Sequence, residues 1–190
     1  MPNKTEYARG KQIATLLRPF WSIRARNIAN RIFPHIPPDS HILDIGAGNG
    51  LIARELVKRG HRAVTLLDVI DWNISPLPLA LFDGIHIPFP AKHFDIAILV
   101  DVIHHSQDEK TLVAEAARVA KSVLIVEETH ERKWKNALAT ATDNIQFVLY
   151  NMPLAHHHRD EKDWLEFLRA DLPNIKQVGK YFSHAIFLSE

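Results

Sequence analysis

The feature that most narrows the fold is a glycine-rich segment placed directly after a short apolar run. His41-Ile42-Leu43-Asp44-Ile45 is followed at once by Gly46-Ala47-Gly48-Asn49-Gly50. Glycines at alternate positions permit a tight turn and let a ligand come close to the backbone. Leu51 to Arg59 then has Leu51, Ile52 and Leu56 on one helical face and ends at Gly60, the residue favoured for a left-handed C-terminal cap. Strand, glycine turn and helix in that order predict an α/β domain whose ligand lies beyond the carboxyl ends of its strands. A nicotinamide fingerprint needs its third glycine where this chain has Leu51, and a phosphate-binding P-loop needs Lys-Ser/Thr where it has Leu51-Ile52. Both nucleotide readings are weakened.

The rest of the chain continues the alternation. Tyr7 to Phe33 reads as two short helices broken at Pro19, and Pro34, Pro37 and Pro38 end that region. Strand two is Ala63 to Asp68 and a short strand three is Leu79 to Phe82. Between them Val69 to Pro78 holds two prolines and no helical period, so it reads as loop. Phe94 to Val100 is strand four, Asp108 to Ala120 an amphipathic helix, and Ser122 to Glu127 strand five. That helix is expected to bury Leu112, Ala116 and Val119 and to turn Glu109, Lys110 and Arg118 to solvent. A helix near Arg132 to Tyr150, a loop at His156-His157-His158, a helix from Asp160 to Ala170 and strands near Ile175–Val178 and Phe182–Leu188 complete the pattern.

Composition sets the outer bounds. With 190 residues the chain has room for one domain, burying roughly 70% of its unfolded surface. It has no cysteine, which excludes disulfides, thiolate metal sites, a cysteine nucleophile and cluster-based radical chemistry. Lys plus Arg total 23 against 22 for Asp plus Glu, a balance that argues against a surface built for nucleic acid or an anionic membrane. No apolar run reaches the length of a membrane span, and the polar stretch Met1 to Lys11 has no signal-like core, so a cytoplasmic location is expected.

Asp44 followed by Gly46, Gly48 and Gly50 resembles the first motif of class I S-adenosylmethionine (SAM) dependent methyltransferases. The likeness continues in order through Asp68, Asp83-Gly84, Ile87-Pro88-Phe89, Phe94-Asp95 and Val102-Ile103-His104-His105. Glu115, Arg118 and Val119 resemble the helix before strand five. The run from about Ser40 to Glu128 is most similar to the small-molecule branch that includes the ubiquinone and menaquinone biosynthesis methyltransferases. That resemblance implies a three-layer Rossmann-like sandwich around a mostly parallel seven-stranded sheet with an antiparallel last strand, here shortened between strands two and three. It implies SAM as cofactor and methyl transfer to a small-molecule acceptor by direct displacement. Outside that run the likeness is weak, and the chain pattern itself suggests a single domain of residues 1–190 made of an N-terminal helical cap (1–38), a cofactor-binding core (39–128) and a substrate lid with the last strands (129–190).

The roles implied for single residues follow the chemistry of SAM. Asp68 would accept hydrogen bonds from the ribose diol and Asp83 from the adenine amino group. Gly46 and Gly48 would let the methionine portion approach, with Asp44 and Asp101 beside its charged end. Val69, Ile70 or Trp72 would wall the adenine, and Gly84, beside Asp83, is a further cofactor-binding residue. His104 and His105, after strand four, are the candidate proton acceptors, since a histidine suits that task near neutral pH. Asp101, Glu127 and Asp143-Asn144 are similar to the acidic ligands of metal-dependent catechol-type enzymes, but Asp143-Asn144 comes too far after strand five, and no metal site is expected. Tyr7, Trp21, Trp134, Phe147 and Tyr150 are candidate acceptor-site lining. The alternatives from other classes are a SAM-binding domain without turnover and, less well matched, a nicotinamide oxidoreductase. The acceptor and the oligomeric state do not follow from the sequence.

Overall fold

A computed structural model of the chain describes residues 4–129 and 159–190. Two helices, α1 (Lys4–Leu16) and α2 (Arg18–Ile32), open it. Proline fits only the first turn of a helix, and Pro19 sits in the first turn of α2, so the break falls just ahead of it. There follow β1 (Ile42–Ile45), α3 (Leu51–Lys58), β2 (Val64–Asp68), β3 (Leu79–Leu81), β4 (Phe94–Val100), α4 (Glu109–Val119) and β5 (Ala120–Glu128). After residues 130–158 come α5 (Glu161–Leu168), β6 (Lys176–Tyr181) and β7 (His184–Ser189).

The strands form one seven-stranded sheet in the order β3-β2-β1-β4-β5-β7-β6. β1 to β5 pair in parallel, and β7 runs antiparallel to both β5 and β6. The expected fold class holds, with the last strand alone reversed. Because side chains alternate across a strand, the apolar strands feed two cores. Leu43, Ala97, Leu99, Val123 and Ile125 pack with Leu112, Val113 and Ala116 of α4 and Trp164 and Leu168 of α5. Ile42, Ile96, Ile98, Leu124 and Val126 pack on the other side with Ile28, Ala29 and Ile32 of α2 and Leu56 of α3. Helices on both faces make the three layers.

The chain leaves β1 towards β2 and β3, then returns to place β4 on the other side of β1. The carboxyl ends of β1 and β4 therefore flank the point where the winding reverses, the place where open α/β sheets hold ligands. No helix lies between β2 and β3, as the prolines of that segment indicate. Gly60 takes φ +112° after α3 and its N–H bonds the Val57 carbonyl at 3.1 Å, the C-terminal cap expected of it.

Two local expectations need correction. Glu109 does not face solvent: it is buried and its carboxylate meets Arg159 at 2.7 Å, a partner 50 residues away. Arg118 is half-buried, holding Glu115 through Nε at 2.6 Å and the Ile87 and Phe89 carbonyls at 2.9 and 2.8 Å. In addition, β5 begins at Ala120, two residues before the expected start, because Ala120 already pairs with Phe94 and Lys121 is tied to Asp95 at 2.8 Å. The helix near Arg132 to Tyr150, His130, Asp143-Asn144 and the His156-His157-His158 loop lie outside the described residues. So do Trp134, Phe147, Tyr150 and the side chain of Tyr7.

Candidate active site

The glycine loop is fastened to the end of β2 before any ligand is considered. The N–H groups of Gly46 and Ala47 both reach the Leu67 carbonyl, at 2.8 and 3.1 Å. Gly48 N–H donates to Asp68 Oδ2 at 2.7 Å, while Asp68 Oδ1 accepts from Val69 and Ile70 at 2.7 and 3.2 Å. Burial raises the Asp68 carboxyl above its ordinary pKa, against the opposing pull of these three amides. The carboxylate expected at the ribose thus also ties two loops together.

Gly46 and Gly48 have φ of +69° and +54°, in the left-handed region. A Cβ at Gly46 would stand 2.4 Å from Val102 Cγ2, so here the turn after β4 presses on the loop. At Gly48 the nearest atom to such a Cβ is the Gly46 carbonyl oxygen at 4.0 Å, which leaves that face of the loop open. Asn73 and Ser75, from the segment between β2 and β3, close in on Gly50 from below, and Ile74 N–H bonds the Asn49 carbonyl at 3.1 Å. Neither Asn73 nor Ser75 carries a sequence signal for this task.

Asp44 lies in β1 on the face of Ile42 and is buried, and its Oδ2 has no hydrogen-bond partner among the described residues. Burial, and then the charge of Asp68, push its carboxyl up to about 8. A buried acidic oxygen without a partner, next to an open glycine loop, is a fitting receptor for a cationic ligand.

The residues expected beside the adenine also come together. Gly84 (φ +87°) packs on Val69, with a Cβ there 3.2 Å from Val69 Cγ1, and Val69 is 45% exposed. Asp83 is exposed; its Oδ1 accepts from Ile85 and His86 N–H at 2.8 and 2.7 Å, and the bonds from the His86 and Ile85 amides pull its carboxyl down to about 2. Trp72 sits against Gly10 of α1, and Lys11 pairs with Asp71 at 2.7 Å, so this loop anchors the N-terminal helices. Trp21 stands edge-on to Phe20, with ring centroids 5.1 Å apart.

Asp101 follows β4 in a left-handed conformation (φ +53°). Its carboxylate pairs with Arg24 of α2 and, at 3.1 Å, with His184 Nε2 of β7. Burial alone would raise it, but His184 and Arg24 outweigh that and hold it well below the usual carboxylate range. Conversely, burial would lower His184, and Asp101 more than compensates. Tyr181 stacks on His184 at 5.0 Å, with the Arg31 guanidinium 4.8 Å above its ring. Neither Arg24 nor His184 is predictable from local pattern, since each meets Asp101 across distant chain.

His104 and His105 stand on a single 3-10 turn (Ile103–His105) with their rings 4.1 Å apart. Glu127, wholly buried near the end of β5, organises that turn. Its Oε1 accepts from Val102 and Ile103 N–H at 3.1 and 2.7 Å, and its Oε2 meets His104 Nδ1 at 2.5 Å. The sequence places Glu127 only among residues similar to acidic metal ligands; the signal that could have found its role is that a carboxylate ending an apolar strand needs a buried partner.

Comparison with known proteins fits this geometry. A family model described as a methyltransferase domain matches residues 20–184. A ubiquinone biosynthesis O-methyltransferase of Hahella chejuensis is 26% identical over 148 residues, covering 70% of this chain and 58% of that protein. A tRNA (carboxymethyluridine(34)-5-O)-methyltransferase of Schizosaccharomyces pombe is 30% identical over 86 residues, 43% of this chain and 36% of that one. The chain thus spans well under two thirds of either relative's length. Two solved structures share the fold over nearly the whole chain. A Haloferax volcanii complex containing the Trm112 methyltransferase activator gives a TM-score of 0.73 at 11% identity, covering 100% of this chain and 98% of that one. A SAM-dependent methyltransferase of Thermotoga maritima gives 0.67 at 13%, covering 95% and 96%. With a methyltransferase-domain model spanning most of its length and the glycine loop at the reversal of a seven-stranded sheet, the chain belongs to the class I, SAM-dependent methyltransferase family.

Proposed function

We propose that this protein moves a methyl group from SAM to a small-molecule acceptor, with the cofactor lying across the carboxyl ends of β1, β2 and β4. The observation that carries the reading is the unpartnered buried oxygen of Asp44 beside the open face at Gly48. Asp44 would hold the charged methionine end of SAM, Gly46 and Gly48 would admit it, and Asp68 would meet the ribose while still tying the loops. Val69 and Gly84 would wall the adenine, with Asp83 at its rim and Asp101 behind the methionine end. SAM supplies an activated methyl on a sulfonium; the chain's residues have to orient it, align the acceptor and exclude water. His104 and His105, on the turn after β4, would take the departing acceptor proton. One curated relative is named for ubiquinone biosynthesis and another for a tRNA uridine. The near-balance of 23 basic and 22 acidic residues favours the small-molecule side. Among the described residues no helix is long and apolar enough to cross a membrane; a cytoplasmic site of action is part of this proposal.

Thermal unfolding in the presence of SAM, its demethylated product, NAD and NADP tests the reading. A ligand at 100 times its dissociation constant stabilises by about 2.7 kcal/mol, so SAM and its product should raise the midpoint while the nicotinamides do not. A shift with NAD and none with SAM would overturn the assignment. Asp68→Ala should lose the SAM shift, with Asp68→Asn, which keeps one acceptor oxygen for the loop amides, separating ligand loss from loop collapse. SAM binding with no demethylated product from any acceptor would point to a binding domain instead.

A further inference from the structure

The glycine loop, Asp68 and Val69 occupy the β1–β2 half of the sheet's carboxyl rim, which leaves the half over β4, β5 and β7 for an acceptor. Because β7 is antiparallel, its first residue lies at that rim: His184 pairs with Glu128 at the end of β5 and with Tyr181 at the end of β6. Asp101, just after β4, joins this corner and shares its carboxylate between two cations, Arg24 of α2 on Oδ2 and His184 Nε2 at 3.1 Å on Oδ1. Glu128, the other acid here, accepts from Ser183 Oγ at 3.0 Å. His184 stacks on the Tyr181 ring, and the Arg31 guanidinium lies 4.8 Å from the ring centroid.

Two donors in this corner lack an acceptor. Among the described residues Arg24 bonds Asp101 alone, through Nη2. A guanidinium carries five N–H donors, and with this side chain 37% exposed, those on Nε and Nη1 stay unspent and within reach of a ligand. The Tyr181 hydroxyl is buried without a hydrogen-bond partner, and it lies close enough to Asp101, Arg24 and Arg31 for their charges to act on it. A buried hydroxyl in that state is costly and calls for a partner. The two acids of the corner are already engaged, so the missing acceptor has to come from outside the chain. An ionised carboxylate fits: it only accepts, and its two oxygens match the planar arginine fork.

Building on the methyl-transfer reading above, we infer that Arg24 and Tyr181 form an anchoring subsite for the acceptor, and that the acceptor is a small molecule bearing a carboxylate, which takes the unspent N–H groups of Arg24 and the Tyr181 hydroxyl. Asp101 is a positioning residue for this subsite, holding the Arg24 fork in place. A neutral acceptor would leave the guanidinium and the phenol unpaired, so the pair also sets specificity.

The test is titration calorimetry on the full chain loaded with the demethylated cofactor, with benzoate and 3,4-dihydroxybenzoate compared with their primary amides and with phenyl phosphate. Wild type should bind the carboxylates about 10- to 100-fold more tightly than the amides. Arg24→Gln should bring that ratio near one, whereas a purely structural Arg24 would weaken acid and amide alike. Arg24→Lys, which keeps the ion pair with Asp101 but has no planar fork, should retain part of the preference. Tyr181→Phe, which removes only the hydroxyl, should weaken carboxylate binding about 5- to 10-fold and leave amide binding unchanged; these two variants decide the matter if Arg24→Gln does not fold. A wild type that binds acids no better than amides, or a preference that survives both Arg24→Gln and Tyr181→Phe, would overturn the inference. Phenyl phosphate bound tenfold more tightly than benzoate would overturn the carboxylate assignment. Each of these outcomes with SAM still bound leaves the cofactor reading standing, while a wild type that does not bind SAM sinks that reading itself.

Discussion

Gly46→Ala is expected to destabilise the protein by about 2–5 kcal/mol and to abolish stabilisation by SAM. Two costs add. The residue has φ +69°, a conformation that costs an L-residue roughly 1–2 kcal/mol. The new Cβ would also lie 2.4 and 2.7 Å from the two γ carbons of Val102 and 3.2 Å from its Cβ. A β-branched side chain has little rotamer freedom with which to escape, and overpacking of this kind costs about 1–3 kcal/mol. Val102 yields poorly for a second reason, since its own N–H is held by Glu127. Gly48→Ala separates the two costs. Its φ is +54° but the space above it is open, so it should lose only the roughly 1–2 kcal/mol backbone share while its methyl group obstructs the ligand face. Urea unfolding of both variants measures the difference, and Val102→Ala combined with Gly46→Ala should recover part of the steric share. Equal destabilisation at the two glycines would show that Val102 does not set the shape of the loop.

What could be read from the sequence and what could not divide along chain separation. Strands β1 and β4, the glycine turn, helix α3 and its Gly60 cap are legible because their determinants lie within a few residues of one another: alternation, apolar spacing, a glycine at a left-handed position. The missing helix between β2 and β3 is legible for the same reason, as Pro76 and Pro78 break any helical run there. Contacts across distant chain leave no such trace. Arg24 meets Asp101 over 77 residues and Arg159 meets Glu109 over 50, so a lysine- and glutamate-bearing helix face looks solvated until the partner is known. The site shows the same split. Its glycines and its Asp68 could be read as a motif, but the bonds that Asp68 accepts from Gly48, Val69 and Ile70 are disclosed only by the folded loops. Glu127 falls between the two: a carboxylate at the end of an apolar strand calls for a partner, which its likeness to an acidic metal ligand passed over, and the identity of that partner required the β4 and β5 ends to be seen side by side.

Asp44→Asn should reverse its effect on stability according to whether SAM is present. Burial and the neighbouring Asp68 raise the folded-state carboxyl from 3.8 to about 8. A folded protein that binds this proton more tightly than the unfolded chain is stabilised by it. That contribution is complete below pH 3.8, is lost progressively as pH rises towards 8, and is absent above it. At 1.36 kcal/mol per unit the whole span is worth on the order of 5 kcal/mol as a ceiling. Without ligand, the variant should therefore match the wild type below pH 3.8 and become progressively the more stable of the two up to pH 8, as seen in urea unfolding across that range. With SAM the sign turns over. A bound cation beside Asp44 favours the ionised carboxylate, so below pH 8 binding must expel a proton, and wild-type affinity should climb by up to about tenfold per pH unit. Titration calorimetry between pH 6 and 7.5 should show that climb in the wild type, and weaker, nearly flat binding in the variant. Asp68, also raised by burial, is the one other carboxyl of the loop able to produce such a slope. If the slope survives Asp44→Asn and disappears in Asp68→Asn, the proton belongs to Asp68, and Asp44 loses its place as the receptor for the charged end of the cofactor.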